Sequence, residues 1–205
     1  MRRRGLPASR QAGFTLVELM LVLLIISVLA AMLFPVFARA RESARKTQCL
    51  SGVAQLGIAL QMYAADWQGA LPPKDNDWTP AYPYIKNLDV LHCPTDPKPV
   101  AFTGDLNAPT GRFTITYTSY VYRSGLTSDA PAMEIVAFDR EIWHMGGRNV
   151  VFLDAHGKWY VDQGFWQIAS PRVLALDPTL QELSPEQREA VLKGQPLPGR
   201  PPWRH

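Results

Sequence analysis

The sequence lacks the excess of basic charge that would favour a polyanionic partner. Its formal net charge is +3, but Arg2, Arg3, Arg4 and Arg10 all precede the first long apolar segment. Subtracting these four from the 21 basic residues leaves 17, against 18 acidic residues. A chain with this balance has no global attraction for nucleic acid, so we expect no nucleic-acid partner.

Metal-ligating side chains are scarce as well. Cysteine occurs only twice, as Cys49 and Cys93, and His92 is the neighbour of the second. These three residues lack the paired ligand spacing of structural zinc sites, so we expect no zinc site.

What the sequence does contain is a long apolar run. Residues 14–37 include a single charged side chain, Glu18. As a helix, this run would extend about 36 Å, which is enough to cross the hydrocarbon core of a bilayer. Basic residues lie on both sides of the run, so their distribution does not decide its orientation.

Residues 13–18, Gly-Phe-Thr-Leu-Val-Glu, resemble the cleavage and methylation site of type IV prepilins. The resemblance implies that a prepilin peptidase and N-methyltransferase cuts between Gly13 and Phe14 on the cytoplasmic face and methylates the new N-terminus. Residues 1–13 would then be a cleaved leader, and residues 14–37 would remain as a transmembrane and assembly helix. Pro35 matches a proline common in this family, where it would bend or loosen the helix locally.

Glu18 is the informative residue of this segment. A charge inside a bilayer costs about 2.5 to 3.5 kcal/mol on insertion scales and therefore tends to be partnered. The dipole at the start of the helix favours an anion, and the resemblance implies a further partner, the N-terminal amine of a neighbouring subunit. The alternative is a glutamate that reaches the headgroups of an ordinary signal anchor, which would not explain the Gly-Phe junction.

Beyond Pro35 the helical pattern continues to about residue 68. Small residues at Ala54, Gly57 and Ala64 would allow close packing on a sheet, and Gly69 can end the helix. Apolar side chains recur at steps of three or four residues and predict one buried stripe: Cys49, Val53, Leu56, Leu60, Tyr63 and Trp67.

Residues 69–161 predict a small globular head. Most of the 18 prolines follow residue 68, and they predict an irregular connection over residues 69–112, with a short helical turn around Trp78, Tyr82 and Ile85. Alternation and β-branched residues then predict strands at 113–123, 135–138, 149–153 and 158–161, the last two joined as a hairpin. Three or four antiparallel strands on the long helix give an α+β, pilin-like fold.

A second resemblance lies in the hairpin region. His144, nine further residues and Asp154 are similar to a motif near the C-terminus of certain large prepilin-like families, in which glycine follows the aspartate. Ala155 stands here in place of that glycine, which affects the expected loop geometry more than the resemblance itself.

The two cysteines offer a crosslink. A domain exported from the cytoplasm meets an oxidising compartment, where paired cysteines usually form a disulfide. A bond between Cys49 and Cys93 would close a loop of about 44 residues and contribute about 3 to 4 kcal/mol in the chain-entropy model. Two buried free thiols are the alternative.

Acidic and histidine side chains in the head are candidates for a catalytic site or a cation site. His144 and Asp154 would lie at opposite ends of the strand between them, about 15 Å or more apart. Asp139 with His144, or Asp154 with His156, would each make too small a group for catalysis. We expect no enzyme activity and no obligatory cofactor; Asp139 and Asp154 remain candidates for a bound cation such as calcium.

Residues 162–205 predict a C-terminal extension that the resemblance does not cover. Ser170-Pro171 can begin a helix, and Ser184 to Gln187 form a capping-box pattern, with Gly194 closing the turn. The residues after 194 are rich in proline and predict an extended tail.

These expectations combine into one functional hypothesis. The chain resembles a structural subunit of a type IV pilus-like or type II secretion pseudopilus-like filament, anchored once in the bacterial inner membrane with its head outside the cytoplasm. Its implied partners are the peptidase, the membrane, and other copies of itself or related pilins. The alternative is an anchored extracytoplasmic protein that binds a ligand or cation, uses the same export signal and forms no filament.

Overall fold

The computed structural model describes residues 14–104, 113–144 and 146–193. The predicted leader, Gly13 and the Pro-rich tail with Gly194 lie outside these residues. The chain divides into two compact units, Met1–Arg41 and Glu42–His205. One helix, α1, spans Leu16–Asp66 and so contributes to both units; this confirms the predicted long helix.

The start and the end of α1 follow local chemistry. Thr15 and Glu18 form a capping box at the first turn, described below. At the other end, the Gly69 N–H donates to the Ala64 carbonyl at 2.7 Å, and both Gln68 and Gly69 have positive φ, 55° and 83°. This left-handed end matches the predicted stop at Gly69.

Residues between α1 and the sheets form short helical turns. Two 3-10 turns, Thr79–Ala81 and Leu88–Leu91, flank helix α2, Tyr82–Ile85. The helical turn predicted around Trp78, Tyr82 and Ile85 is thus confirmed. Trp78 is fully buried and donates its indole N–H to the Tyr120 carbonyl at 3.4 Å, which holds this segment on the sheet.

Two antiparallel sheets complete the head. Strands β1 and β2 form a two-stranded sheet, and β3 to β6 form a four-stranded sheet in sequence order. Their bounds are Ala101–Gly104, Phe113–Tyr117, Tyr120–Tyr122, Ile135–Asp139, Gly147–Phe152 and Gly157–Val161. The α+β prediction and the hairpin of the last two strands are confirmed.

Two strand predictions were wrong. Residues 113–123 form two strands in different sheets, because Ser119 leaves the ladder and donates its N–H to the Leu91 carbonyl at 3.0 Å. Residues 101–104, predicted as irregular connection, form β1. All four of its residues are exposed, so it shows no alternation between buried and exposed positions that the sequence could reveal.

The first core lies between α1 and one face of the four-stranded sheet. Cys49, Val53, Leu56, Leu60 and Tyr63 are buried there as predicted. Trp67, predicted as part of the same stripe, is 58% exposed. Its ring stacks on Tyr63 with centroids 5.4 Å apart.

A second core lies on the opposite face of the sheet. It is covered by four short helices of the segment predicted as a C-terminal extension. Their bounds are Asp162–Ile168 (α3), Pro171–Leu176 (α4), Pro178–Gln181 (α5) and Pro185–Leu192 (α6). The predicted helix starts at Ser170 and Ser184 are confirmed, the latter with a complete capping box.

The four helices make the central strands internal. Every residue of β4 and of β5 is buried, because apolar side chains cover both faces of the sheet. Residues 162–193 are therefore part of the folded head and not an appendage to it.

Candidate functional site

Glu18 is held by the first turn of its own helix. Its Oε2 atom accepts hydrogen bonds from Thr15 N at 2.9 Å and Thr15 Oγ1 at 2.7 Å. Glu18 N donates in turn to Thr15 Oγ1 at 3.3 Å. This reciprocal pair is a capping box, which satisfies two backbone donors that the helix leaves open. Both bonds to the carboxylate use the same oxygen.

Residues 14–37 expose an almost wholly apolar surface. From Phe14, 78% exposed, to Phe37, the large side chains of α1 are open to the surroundings. Among the described residues, α1 is the one helix that is long and apolar enough to cross a membrane. It runs through Pro35 without interruption. Exposed apolar surfaces of this size mark sites of contact with a membrane or with another protein.

Cys49 and Cys93 are joined by a disulfide, with Cα atoms 5.4 Å apart. Both residues are buried. The bond ties α1 to the segment that follows the second 3-10 turn, and Cys93 N is further fixed by Ser119 Oγ at 2.9 Å. The crosslink considered from the sequence is confirmed, and the alternative of two free thiols is not what the structure shows.

His144 is buried beside this disulfide. Its Nε2 atom lies 3.2 Å from Cys93 Sγ, and its Nδ1 atom lies 2.9 Å from Glu42 Oε1. Burial lowers the pKa of His144, and the hydrogen bond with Glu42 partly opposes that shift. The His144 carbonyl accepts from the Trp159 indole at 3.2 Å. The ring of His144 therefore connects α1 with the disulfide, and its backbone carbonyl holds the hairpin.

Asp154 lies in the hairpin loop, in a different setting. Its Oδ1 atom accepts from His156 N at 3.0 Å and lies 2.9 Å from His156 Nδ1. The backbone hydrogen bond from His156 is the main reason that the pKa of Asp154 is lowered. His144 and Asp154 thus have separate partners at the two ends of β5, and the structure does not bring the two motif residues together.

Asp139 is fully buried at the end of β4. Its Oδ2 atom accepts from Asn149 N at 2.7 Å and Asn149 Nδ2 at 3.0 Å. Burial raises the pKa of Asp139 to about 7, against the opposing effect of these bonds. In residues 14–104, 113–144 and 146–193, neither Asp139 nor Asp154 belongs to a group of three His, Cys, Asp or Glu side chains placed to share an ion.

Glu42 and Arg148 are the structurally important residues that sequence reasoning missed. Glu42 lies seven residues before Cys49, so extending the buried stripe back by two turns would have found it. Arg148 is buried and donates to Asp177 Oδ1 at 2.9 Å. It joins β5 to the segment between α4 and α5. Because the two residues are 29 positions apart, no local sequence pattern predicts the pair.

Comparison with known proteins adds two family matches. Residues 8–34 match the prokaryotic N-terminal methylation motif, and residues 38–77 match a family described as protein of unknown function (DUF1559). The first match covers Gly13, Phe14 and Glu18, so it rests on the residues that carry the prepilin resemblance.

Curated relatives point in the same direction. The chain is 39% identical over 62 residues to the type II secretion system core protein G of Pectobacterium carotovorum subsp. carotovorum, which is 30% of this chain and 40% of that protein. Proteins of the same name from Escherichia coli (strain K12) and Aeromonas hydrophila are 42% and 39% identical over 57 residues. These alignments cover 28% of this chain and 39% and 40% of the relatives.

The chain therefore spans about two fifths of the length of these relatives. No solved structure matches it. The N-terminal part of the chain is therefore similar to prepilins and pseudopilins, and it is followed by an α+β head.

Proposed function

We propose that this protein is a subunit of a type IV pilus-like or type II secretion pseudopilus-like filament, anchored in the inner membrane through residues 14–37 and processed between Gly13 and Phe14. The observation that carries the proposal is the exposed apolar segment of residues 14–37, whose one carboxylate, Glu18, lies in the first turn of α1 and within the match to the methylation motif. An apolar surface of this length suits both a bilayer and the packing of like helices in a filament core.

The geometry at Glu18 suits assembly by charge pairing. Thr15 occupies only Oε2 of the carboxylate, which leaves Oε1 to accept from a neighbouring subunit. The amine created by cleavage before Phe14 is the cation that every copy would carry. Because the pair would form in a low-dielectric surrounding, the attraction between the two charges is strong. A shift of one subunit along its neighbour would leave both charges without a partner and is therefore unfavourable. Glu18 would thus set the register between subunits.

The disulfide supports a head outside the cytoplasm. Disulfides persist in oxidising compartments and are rare in the cytosol. With the head outside, the start of α1 would face the cytoplasm, where the prepilin peptidase acts on prepilins. The proposed role is structural, and the matched relatives bear the name of a secretion-system component.

Processing is tested first. The protein is extracted from membranes, and its N-terminus is identified by mass spectrometry. The expected result is an N-methylated Phe14. An intact Met1, or cleavage beyond residue 30, would contradict the proposal.

Assembly is tested with Glu18→Gln, which keeps the shape of the side chain and removes its charge. We expect much weaker crosslinking between subunits in membranes. We also expect a loss of filaments, both in material sheared from cells and in cells that overexpress the protein. Glu182→Gln, at an exposed acid of the head, is the matched control and should assemble as the parent does. If the protein is processed but Glu18→Gln crosslinks like the parent, the anchored protein without a filament is the better description.

A further inference from the structure

Three metal-ligating atoms converge inside the head. The sulfur atoms of Cys49 and Cys93 and a ring nitrogen of His144 all lie within 4.8 Å of one another, and all three side chains are buried. In the part of the chain that the structure describes, no other three His, Cys, Asp or Glu side chains meet in this way. Sequence spacing missed the cluster because His144 lies 51 residues from Cys93.

Glu42 orients the histidine as it would orient a metal ligand. With a proton on Nδ1, the ring donates to Glu42 Oε1 at 2.9 Å. Nε2 then directs its lone pair towards Cys93 Sγ, 3.2 Å away. A carboxylate on one ring nitrogen and a metal on the other is the usual arrangement of zinc-binding histidines.

The disulfide leaves that lone pair without a donor. A disulfide sulfur carries no hydrogen, so the neutral ring gains no hydrogen bond from Cys93. A buried acceptor without a donor is costly, by about 1 to 3 kcal/mol. The arrangement therefore favours a state in which a cation lies between Nε2 and the sulfur atoms.

We propose that the reduced form of this head binds one zinc ion through Cys49, Cys93 and His144, with Glu42 as the positioning residue. Reduction takes two electrons and two protons from two thiols of a cellular reductant, which become a disulfide themselves. Zinc binding then releases the two protons of Cys49 and Cys93 to solvent and forms two Zn–S bonds and one Zn–N bond.

The geometry and the ligand chemistry both fit zinc. Thiolates in a tetrahedral zinc site lie about 3.8 Å apart, a separation that cysteines with Cα atoms 5.4 Å apart can reach by side-chain rotation. Sulfur and imidazole ligands select zinc over calcium or magnesium. Three protein ligands leave the fourth tetrahedral position for a solvent molecule.

Zinc and the disulfide are thus alternative crosslinks at one place. Each would tie α1 to residue 93 and close the same loop. A head that has lost its disulfide would keep its fold as long as zinc is present, and this inference does not depend on whether the protein assembles into a filament.

The test uses the full chain in detergent, reduced with a phosphine, freed of reductant under argon and titrated with Co²⁺. Cobalt substitutes for zinc and reports thiolate ligands by charge-transfer absorption and tetrahedral geometry by its visible bands. We expect one equivalent to bind and to be displaced by Zn²⁺. His144→Ala should weaken binding more than tenfold, and Glu42→Gln should weaken it by about 10- to 100-fold, as loss of an outer-shell partner does.

Two further variants distinguish the loss of a metal ligand from a general loss of folded structure. His92→Ala, next to Cys93, is the matched control and should bind cobalt as the parent does. His144→Cys replaces the nitrogen ligand with a third thiolate and should bind with stronger charge-transfer absorption. If reduction unfolds the parent, Zn²⁺ should restore its near-ultraviolet circular dichroism. The proposal would be overturned if His144→Ala bound cobalt with the affinity of the parent. It would also be overturned if the reduced parent neither bound cobalt nor responded to zinc.

Discussion

Position 57 has room for no more than a hydrogen atom between α1 and the sheet. A Cβ atom there would lie 2.7 Å from Val151 Cγ2 and 2.9 Å from the Cα atom of Ala155. We expect Gly57→Ala to lower the free energy of unfolding by about 1 to 3 kcal/mol, because overpacking outweighs the better helix propensity of alanine. Denaturant unfolding of the full chain in detergent measures it.

Gly52 provides the control on the same helix. Its added Cβ would meet the Val90 carbonyl at 3.4 Å and Tyr120 Oη at 3.5 Å, which are ordinary contacts. Gly52→Ala should therefore be neutral or stabilising by up to about 1 kcal/mol. Equal losses at both positions would contradict the close approach at Gly57.

Ala155 occupies a conformation that suits glycine. Its φ is +64° in the hairpin loop, where an alanine side chain costs about 1 to 2 kcal/mol relative to the right-handed region. We expect Ala155→Gly to raise the free energy of unfolding by about 0.5 to 1 kcal/mol after the entropy of the more flexible unfolded chain is subtracted. Ala175→Gly, at an exposed position of α4, should instead destabilise by about 1 kcal/mol. A loss at both sites would exclude this account of the loop.

Asp139 makes the stability of the head depend on pH. Its pKa is raised from 3.8 to about 7 in the folded protein, so between these values the folded state holds a proton that the unfolded chain has released. Stability should consequently fall as the pH rises from about 4 to 7 and level off above 7. Asp139→Asn should flatten this slope in urea unfolding curves, whereas Glu182→Gln, at an exposed carboxylate of the head, should leave it unchanged. An identical slope in Asp139→Asn would place its origin in another group.

Some features of single residues can be predicted from the sequence, and others cannot. Gly57 and Gly69 could be read because small residues and left-handed ends have local signatures. Glu42 and His144 could not be paired, because their contact spans 102 residues. The charge of Asp139 could not be judged either, since its pKa depends on burial that only the folded sheet provides.

At the scale of elements, the pair Arg148–Asp177 holds the C-terminal helices on the sheet. Asp177 Oδ1 accepts from Arg148 and also from Thr179 N, at 2.9 and 3.0 Å, and Oδ2 accepts from the Trp166 indole at 3.3 Å. Asp177→Ala breaks a buried ion pair and removes the acceptor for Thr179 and Trp166, which costs about 3 to 5 kcal/mol. We expect limited proteolysis to cut within residues 162–193 far faster than in the parent.

Asp129→Ala, at an exposed acid in the loop before β4, is the control for that experiment. It should be cleaved at the rate of the parent. Unchanged protection in Asp177→Ala would show that apolar packing alone secures the four helices.

Elements with strong periodicity were predicted, and short ones with none were not. α1 was read from its stripe, and β4 to β6 from apolar runs between turns. β1 was missed because every side chain in it is exposed, and β2 and β3 were merged because the chain changes sheet without a proline or glycine between them. Helices α3 and α5 hold seven and four residues, too few for a period to repeat.

For the whole molecule, the two units predict different solubilities. Both apolar cores of the head lie within residues 49–193, whereas the exposed apolar surface is concentrated in residues 14–37. A fragment that begins at Glu42 should therefore be soluble and monomeric without detergent, with its disulfide formed, as judged by gel filtration and thiol titration. A fragment that begins at Leu50 lacks both Glu42 and Cys49 and should be markedly less stable. Aggregation of the first fragment would show that the head needs the preceding helix.

The division into an apolar helical segment and a head could be predicted from composition alone, since one segment is apolar and nearly uncharged. The second layer of helices on the sheet was not, because residues 162–193 were judged by what they failed to resemble. Their burial against β4 and β5 shows only in the packed structure.

A sheet enclosed on both faces can be extended only sideways. On the outer side of β3, Asn76 N already donates to the Tyr122 carbonyl and Trp78 to Tyr120. On the other side of the sheet, β6 pairs only with β5 among the strands of the described residues. Strand exchange and amyloid-like growth would therefore be expected to begin at β6, where the exposed Lys158 is the type of residue that disfavours such pairing.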